Sequence, residues 1–364
     1  MADAARFADR FVDHDSIYLL SHSIGLPVRG SREATLGFFD AWEHDTAHAW
    51  PRWLDAVDGF RHSLARLLGT DPTSICPQSN VSSGLTKIIG SIGELPDRPT
   101  VLVSEDAFPS LGYVFQQAGF RVRYIDRALD ATDPNVWREH LDDADVVLIT
   151  HVHSNTGERV PVDEIIDVAR VNGTITIVDV AQSVGVIPID VSAWRADFVI
   201  GSCVKWLSGG PGAGWLWVSP ERIGRSRPSD VGWFSHADPF EFDIHRFRYA
   251  DDALRFWGGS PTVLPFAVAR HAIDTISAIG IRTIRAHNIE ISDHLIDGLG
   301  QRVVSPHQVE RRGGTCIVEA DSAVTERLAD AGIAVDARTN GIRVSAHVHV
   351  DHDDIETFIR HLHG

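Results

Sequence analysis

Between residues 100 and 219 the chain alternates short apolar runs rich in β-branched residues with amphipathic stretches. Runs of this kind stand at 100–104, 122–125, 146–150, 174–179, 198–201 and 214–219. Helical periodicity falls between them near 109–118, 134–141 and 161–171. A strand that is apolar at every position is buried on both faces, and a helical crossover brings the chain back to the same edge. The alternation therefore predicts an α/β fold with a mostly parallel sheet covered on both sides.

The flanks read differently. Residues 1–30 look like an extended arm that ends in the turn-rich SHSIGLPVRG. Residues 32–69 read as helix with a break at Pro51, closed by a glycine stop. CPQSNVSSG from Cys76 reads as a polar loop before a helix near LTKIIGSI. Past residue 262 two helices, 262–279 and 281–299, precede short strands near 315–319, 333–336 and 342–345 and a last helix over 352–362. The expected division is an arm (1–30), a large α/β domain (31–261) and a small α+β domain (262–364).

Charge narrows the functional classes. The 364 residues carry 50 acidic and 33 basic side chains, a formal net charge of −17, spread along the chain. Such a surface repels nucleic acid and anionic membranes. No stretch is long and apolar enough to span a bilayer, since Asp179 and Asp190 interrupt the most apolar one. The mixed-charge start has no apolar core of a signal peptide. Three widely spaced cysteines, Cys76, Cys203 and Cys316, suit neither a disulfide framework nor a cysteine zinc site. These features lead to an expectation of a cytoplasmic protein.

Three segments carry chemistry, and each falls at a predicted strand end, where open α/β sheets bind ligands. In SCVKWLSGGPG (202–212), Lys205 follows a buried strand and precedes a glycine-rich turn. A desolvated lysine there is the amine that Schiff-base chemistry needs; the plain alternative is a surface lysine. In IVDVAQS (177–183), Asp179 ends an apolar strand and Gln182 follows three residues on. A buried carboxylate can hold a pyridine nitrogen protonated, or it can simply cap a helix. In QSNVSSG (78–84), hydroxyl and amide side chains open a helix, a setting suited to phosphate. The segment has neither GK[ST] nor GxGxxG, so it is not a Walker A loop or a dinucleotide fingerprint. HVHVDHDD (347–354) has the look of a metal cluster, but its place at a strand-to-helix junction favours capping and solvated surface, and no metal is assigned.

Together these segments resemble the fold-type I pyridoxal-5′-phosphate (PLP) enzymes of the class V aminotransferase group, kynureninases in particular. DVAQSVGVIPIDV, ADFVIGSCVKWLSGGPG and GWLWVSPE are the most specific part, and FPSLGY, THVHSNTG, GWFSH and GGSPTVLP extend it. The resemblance implies a PLP-transferase-like three-layer sandwich and a homodimer whose sites are completed across the interface. It implies that Lys205 holds PLP covalently and shuttles the Cα proton, Asp179 pairs with the ring nitrogen and Phe108 stacks on the ring. Asn80 and Val81 would contact the phosphate, with Trp233 and Ser260 contributing from the partner. Gln182 would reach the phenolic oxygen, and Arg343 would grip the α-carboxylate of an amino-acid substrate. His153 stands where the family has Asn, as an acid–base group, a substrate contact or a structural histidine. His22, Trp50 and Trp53 are further candidates for the pocket wall.

Val204 replaces a family tyrosine, Leu111 a family aspartate, and SHSIG an Asn-Ser-Leu-Gly phrase. The resemblance implies a lyase that breaks a Cβ–Cγ or C–S bond, and these departures point to a substrate other than kynurenine. An aminotransferase or epimerase is the alternative on the same residues. A desulfurase needs a loop cysteine near 333–342, and IAVDARTNGI has none.

Overall fold

A computed structural model of the chain describes residues 5–93 and 95–363. Twelve strands occur in it: β1 (Ile17–Tyr18), β2 (Ile75–Gln78), β3 (Thr100–Ser104), β4 (Arg121–Ile125), β5 (Val146–Thr150), β6 (Ile175–Asp179), β7 (Phe198–Ser202), β8 (Gly214–Val218), β9 (Cys316–Val318), β10 (Ile333–Ala334), β11 (Asp336–Arg338) and β12 (Gly341–Val344). Seven form the main sheet in the order β2-β8-β7-β6-β5-β3-β4. The five strands from β7 to β4 run parallel. β8 is antiparallel to both its neighbours. The mostly parallel, two-sided sheet is as expected, and only the β8 end departs from it.

Strand side chains alternate between two separate cores. On one face Val147, Ile149, Val178 and Val199 meet the helices Trp50–Leu68, Val162–Asn172 and Leu264–Ile279. On the other, Val146, Leu148, Ile177 and Ile200 meet Val81–Ile89 and Pro109–Gln117. This is the three-layer arrangement, and its period of two is the pleat of the strand.

Two readings of the sequence need correction. Pro51 starts the helix Trp50–Leu68 rather than breaking one, because a first-turn residue needs no N–H partner. The segment before it is a succession of short helical turns. CPQ belongs to β2, with Pro77 opposite Trp215 on the sheet edge, where a missing N–H is tolerated.

The third core gathers Leu19, Ile291, Leu295, Val318, Val344, Ile355 and Phe358. The antiparallel sheet β11-β12-β9 and the helices Ile281–Leu299 and His352–His363 supply most of it. The arm joins this unit through β1, which pairs in parallel with β10. Helix Leu264–Ile279, expected to open the small domain, packs on the large one: its Phe266 ring lies 4.8 Å from Phe60. The change of core therefore falls within the following helix.

That packing yields a direct test. Phe266 is 1% exposed. Phe266→Ala should cost about 3–5 kcal/mol of stability, since the cavity cannot collapse between two helices. Guanidinium unfolding followed by tryptophan fluorescence measures it, and a loss near zero would place the helix outside the large core.

Candidate active site

The parallel strands β5, β6 and β7 end side by side, and a cavity of about 260 Å³ opens over their carboxyl ends. Thr150, Asp179 and Ser202, the last residues of those strands, line it. Lys205 enters from the loop after β7.

This loop is held from three sides. Cys203 N–H donates to Ala213 O at 2.9 Å, and Gly209 N–H to Cys203 O at 2.7 Å. Gly25 N–H of the arm donates to Val204 O at 2.8 Å. A Cβ on Gly25 would fall 2.1 Å from Lys205 O, so the arm must be glycine where it crosses behind the lysine. Lys205 Nζ lies 5.8 Å from the centre of the Phe108 ring. Burial pushes the ammonium pKa down; the Asp179 charge opposes that, and Arg343 adds to it. Lys205 is thus a sequestered amine and not a surface lysine.

Asp179 is 6% exposed. Its Oδ1 accepts from Ala181 N–H at 2.9 Å. No helix begins there, so the capping alternative fails; a turn follows. Burial raises its pKa, against the Ala181 N–H, Lys205 and His153, which lower it. A cationic ring nitrogen would relieve that burial cost.

Asn80 does cap a helix: its Oδ1 accepts from Ser83 N–H at 2.9 Å and Ser82 Oγ–H at 2.8 Å. Its side chain is thereby spent, but Asn80, Val81 and Ser82 still turn the start of the helix toward the cavity. Gly214 makes room for this turn, as a Cβ there would meet Asn80 Cα at 2.7 Å. Phe108 forms the opposite wall and is 50% exposed.

Gln182 Nε2 donates to His22 O at 3.1 Å. Its Oε1 and Thr150 Oγ are buried without a hydrogen-bond partner in the protein. Two orphaned polar atoms beside a buried carboxylate and lysine suit a ring with a basic nitrogen and a phenolic oxygen, and a helix start suits its phosphate. The residues present fit PLP.

The remaining candidates lie outside the lining. Arg343 sits behind Ser154, to whose carbonyl Nη1 donates at 3.3 Å. Its Nε and Nη2 are engaged by Asp336, at 3.0 and 2.6 Å. His153 is buried and turned toward Glu158, Nδ1 to Oε2 3.5 Å, so it is not a direct contact of the cavity. Trp233 Nε1 donates to Ser260 Oγ at 3.3 Å, and neither residue lines the cavity of its own chain. His22 is buried, its Nδ1 2.7 Å from Ser345 Oγ. Trp50 packs on Trp233 and Trp53 on Phe38, so both tryptophans serve packing.

HVHVDHDD divides between core and cap. His347 and His349 stack with ring centres 5.9 Å apart, while the backbone N–H groups of Asp351 and Asp354 each donate to the other's carboxylate at the start of the last helix. Asp106, His153 and Glu158 bring possible donor atoms within 4.8 Å of one another, but His153 already faces Glu158.

Sequence reasoning passed over Thr150, Ser154 and Asp336. Thr150 was open to the strand-end argument that found Asp179. Asp336 carried no signal, because only strand pairing sets it against Arg343.

The family description Aminotransferase class-V matches residues 44–361. A kynureninase from Deinococcus radiodurans is 29% identical over 350 residues, 90% of this chain and 84% of the relative. A cystine C–S lyase solved with its product, cysteine persulfide, superposes with a TM-score of 0.87 at 21% identity, over 96% of this chain and 97% of that one. The apo cysteine desulfurase of Thermococcus onnurineus NA1 gives 0.84 at 20% identity, over 95% and 93%. At such identities the two structures speak for the fold alone. The family match spans most of the chain, and the chain belongs to the class V aminotransferase family of PLP-dependent enzymes.

Proposed function

We propose that this class V protein is a lyase that breaks a Cβ–Cγ or C–S bond of an amino acid other than kynurenine. The observation that carries the reading is the sequestered Lys205 amine, set between the Phe108 ring and Asp179 at the carboxyl ends of the parallel strands. Bound there, PLP would supply an electron sink for charge released at the substrate Cα. Asp179 would hold its ring nitrogen, Gln182 its phenolic oxygen, and Asn80, Val81 and Ser82 its phosphate. Phe108 would shield the ring from water. Lys205 would carry the Cα proton, and Arg343 would hold the α-carboxylate.

A desulfurase reading lacks its nucleophile. All three cysteines are free and buried. Burial pushes the Cys76 thiol up to about 12, and raises Cys203 and Cys316 as well. Thiols held protonated and out of solvent are inert. Unpaired cysteines also fit the reducing cytoplasm we infer.

The working unit we infer is a homodimer. Phe242 and Ile244 are 74% and 92% exposed in a lobe with Trp233, Phe240 and Phe247. An apolar surface of this kind asks for a cover, and Trp233 and Ser260 would then reach the partner's phosphate. Sedimentation equilibrium should find two chains, and Ile244→Asp should shift them toward one; a monomeric parent protein would remove the shared site.

Two measurements test the chemistry. PLP-loaded protein should show a visible band that borohydride traps on Lys205, and Lys205→Ala should lose both. With amino acids it should release a side-chain fragment; accumulation of pyridoxamine phosphate would assign an aminotransferase instead. The pH dependence of PLP capture by the apo-protein tests the amine itself. Protonated lysine cannot attack, so capture falls as pH drops through the folded pKa. Because that pKa is lowered, the midpoint should lie below the roughly 10.4 of a free lysine.

A further inference from the structure

Arg343 is not a free cation. Asp336 faces it directly across the β11–β12 pair, and its carboxylate spans Nε and Nη2 at 3.0 and 2.6 Å. The Arg343 side chain is 5% exposed and that of Asp336 23%. His22 stands on the far side of the carboxylate, Nε2 to Oδ2 3.9 Å, too long for a hydrogen bond. Burial opposes ionisation of Asp336, yet the two hydrogen bonds and the charge of the Arg343 fork hold it well below the usual carboxylate range. Burial also pushes His22 down to about 4, so it adds no charge near neutrality. The pair is therefore a charged but net-neutral unit.

Only the Nη1 and Nη2 end of the guanidinium remains for a ligand, and Nη1 is shared with Ser154 O. Among the residues that line the cavity, Lys205 is the one cation and Asp179 the one anion, and both are committed to PLP. The wall beyond them is apolar or hydroxylic: Phe108, Leu111, Val152, Ser110 and Val204. Asp106 and Glu158 lie outside this lining, with Glu158 facing His153.

We propose that Asp336 is a specificity-determining residue that restricts the site to amino acids with a single carboxylate. The claim rests on the reading of Arg343 as the α-carboxylate grip. One carboxylate meets the open end of the guanidinium, at reduced strength because Asp336 offsets the positive field. A second carboxylate on the side chain meets no further counter-ion among these lining residues and must be desolvated against an apolar and hydroxylic wall. Neutral side chains lose nothing in the apolar cavity.

The test is calorimetric titration of the PLP-loaded protein with L-alanine, L-aspartate and ethylamine. The parent protein should bind L-alanine at least about tenfold more tightly than L-aspartate, the difference a lone uncompensated carboxylate makes. Asp336→Asn should tighten both amino acids by about threefold or more and narrow the gap between them, because the field of Arg343 is no longer offset. Ethylamine, with no carboxylate, should change by less than about twofold, since it makes no ion pair with Arg343. Asp336→Glu keeps the charge and should keep the parent ranking, which guards against a folding defect in the first variant. Weaker amino-acid binding in Asp336→Asn, or equal binding of aspartate and alanine by the parent protein, would overturn the proposal. Arg343→Gln separates the premise: if L-alanine binding survives it, Arg343 is not the carboxylate grip, whereas its loss with no effect of Asp336→Asn rejects Asp336 alone.

Discussion

A half-buried lysine ammonium in the loop after β7 and a buried aspartate carboxylate at the end of the neighbouring parallel strand β6 set the terms for the rest of this structure. Neither group is stable in such a place by itself, since each loses hydration that their mutual attraction only partly restores. The lysine responds with a lowered pKa and the aspartate with a raised one. The cost is borne by the hydrophobic cores on both faces of the sheet, which hold β6 and β7 in register whatever their ends carry. The site is thus a strained electrostatic arrangement on a rigid apolar base, and a cofactor with a basic ring nitrogen relieves part of the strain.

The surrounding loops follow from this demand. The arm passes behind Lys205 with a glycine, because its backbone must lie against the lysine carbonyl. β8 packs on the helix start with Gly214 for the same steric reason. The arm also pairs with β10 through β1, so one segment braces the lysine loop and ties it to the smaller unit that carries Arg343.

Titratable groups outside the cavity lining are arranged in pairs. Arg343 meets Asp336, and His153 meets Glu158. Pairing keeps each group from destabilising the fold, and it also limits what the site can offer a ligand. A guanidinium that is already half satisfied grips less strongly, but discriminates more sharply against surplus negative charge.

Much of this was legible in the sequence. Buried parallel strands are apolar at every position, so β3, β5, β6 and β7 stand out as runs, and Lys205 and Asp179 stand out as charges at their ends. Edge strand β2 did not, since an edge position tolerates Pro77 and Gln78. Helix Leu264–Ile279 has a plain amphipathic pattern, but the pattern shows that a face is buried and not which core receives it. The same holds for side chains. Sequence offered His153, Arg343 and His22 as candidates, Arg343 through the family resemblance alone. Only the tertiary structure decided that His153 turns to Glu158, that Gln182 rests on the His22 carbonyl and that Asp336 occupies Arg343. Those contacts join residues across a turn, far apart in the chain or opposed by strand register, and local periodicity carries no information about any of these.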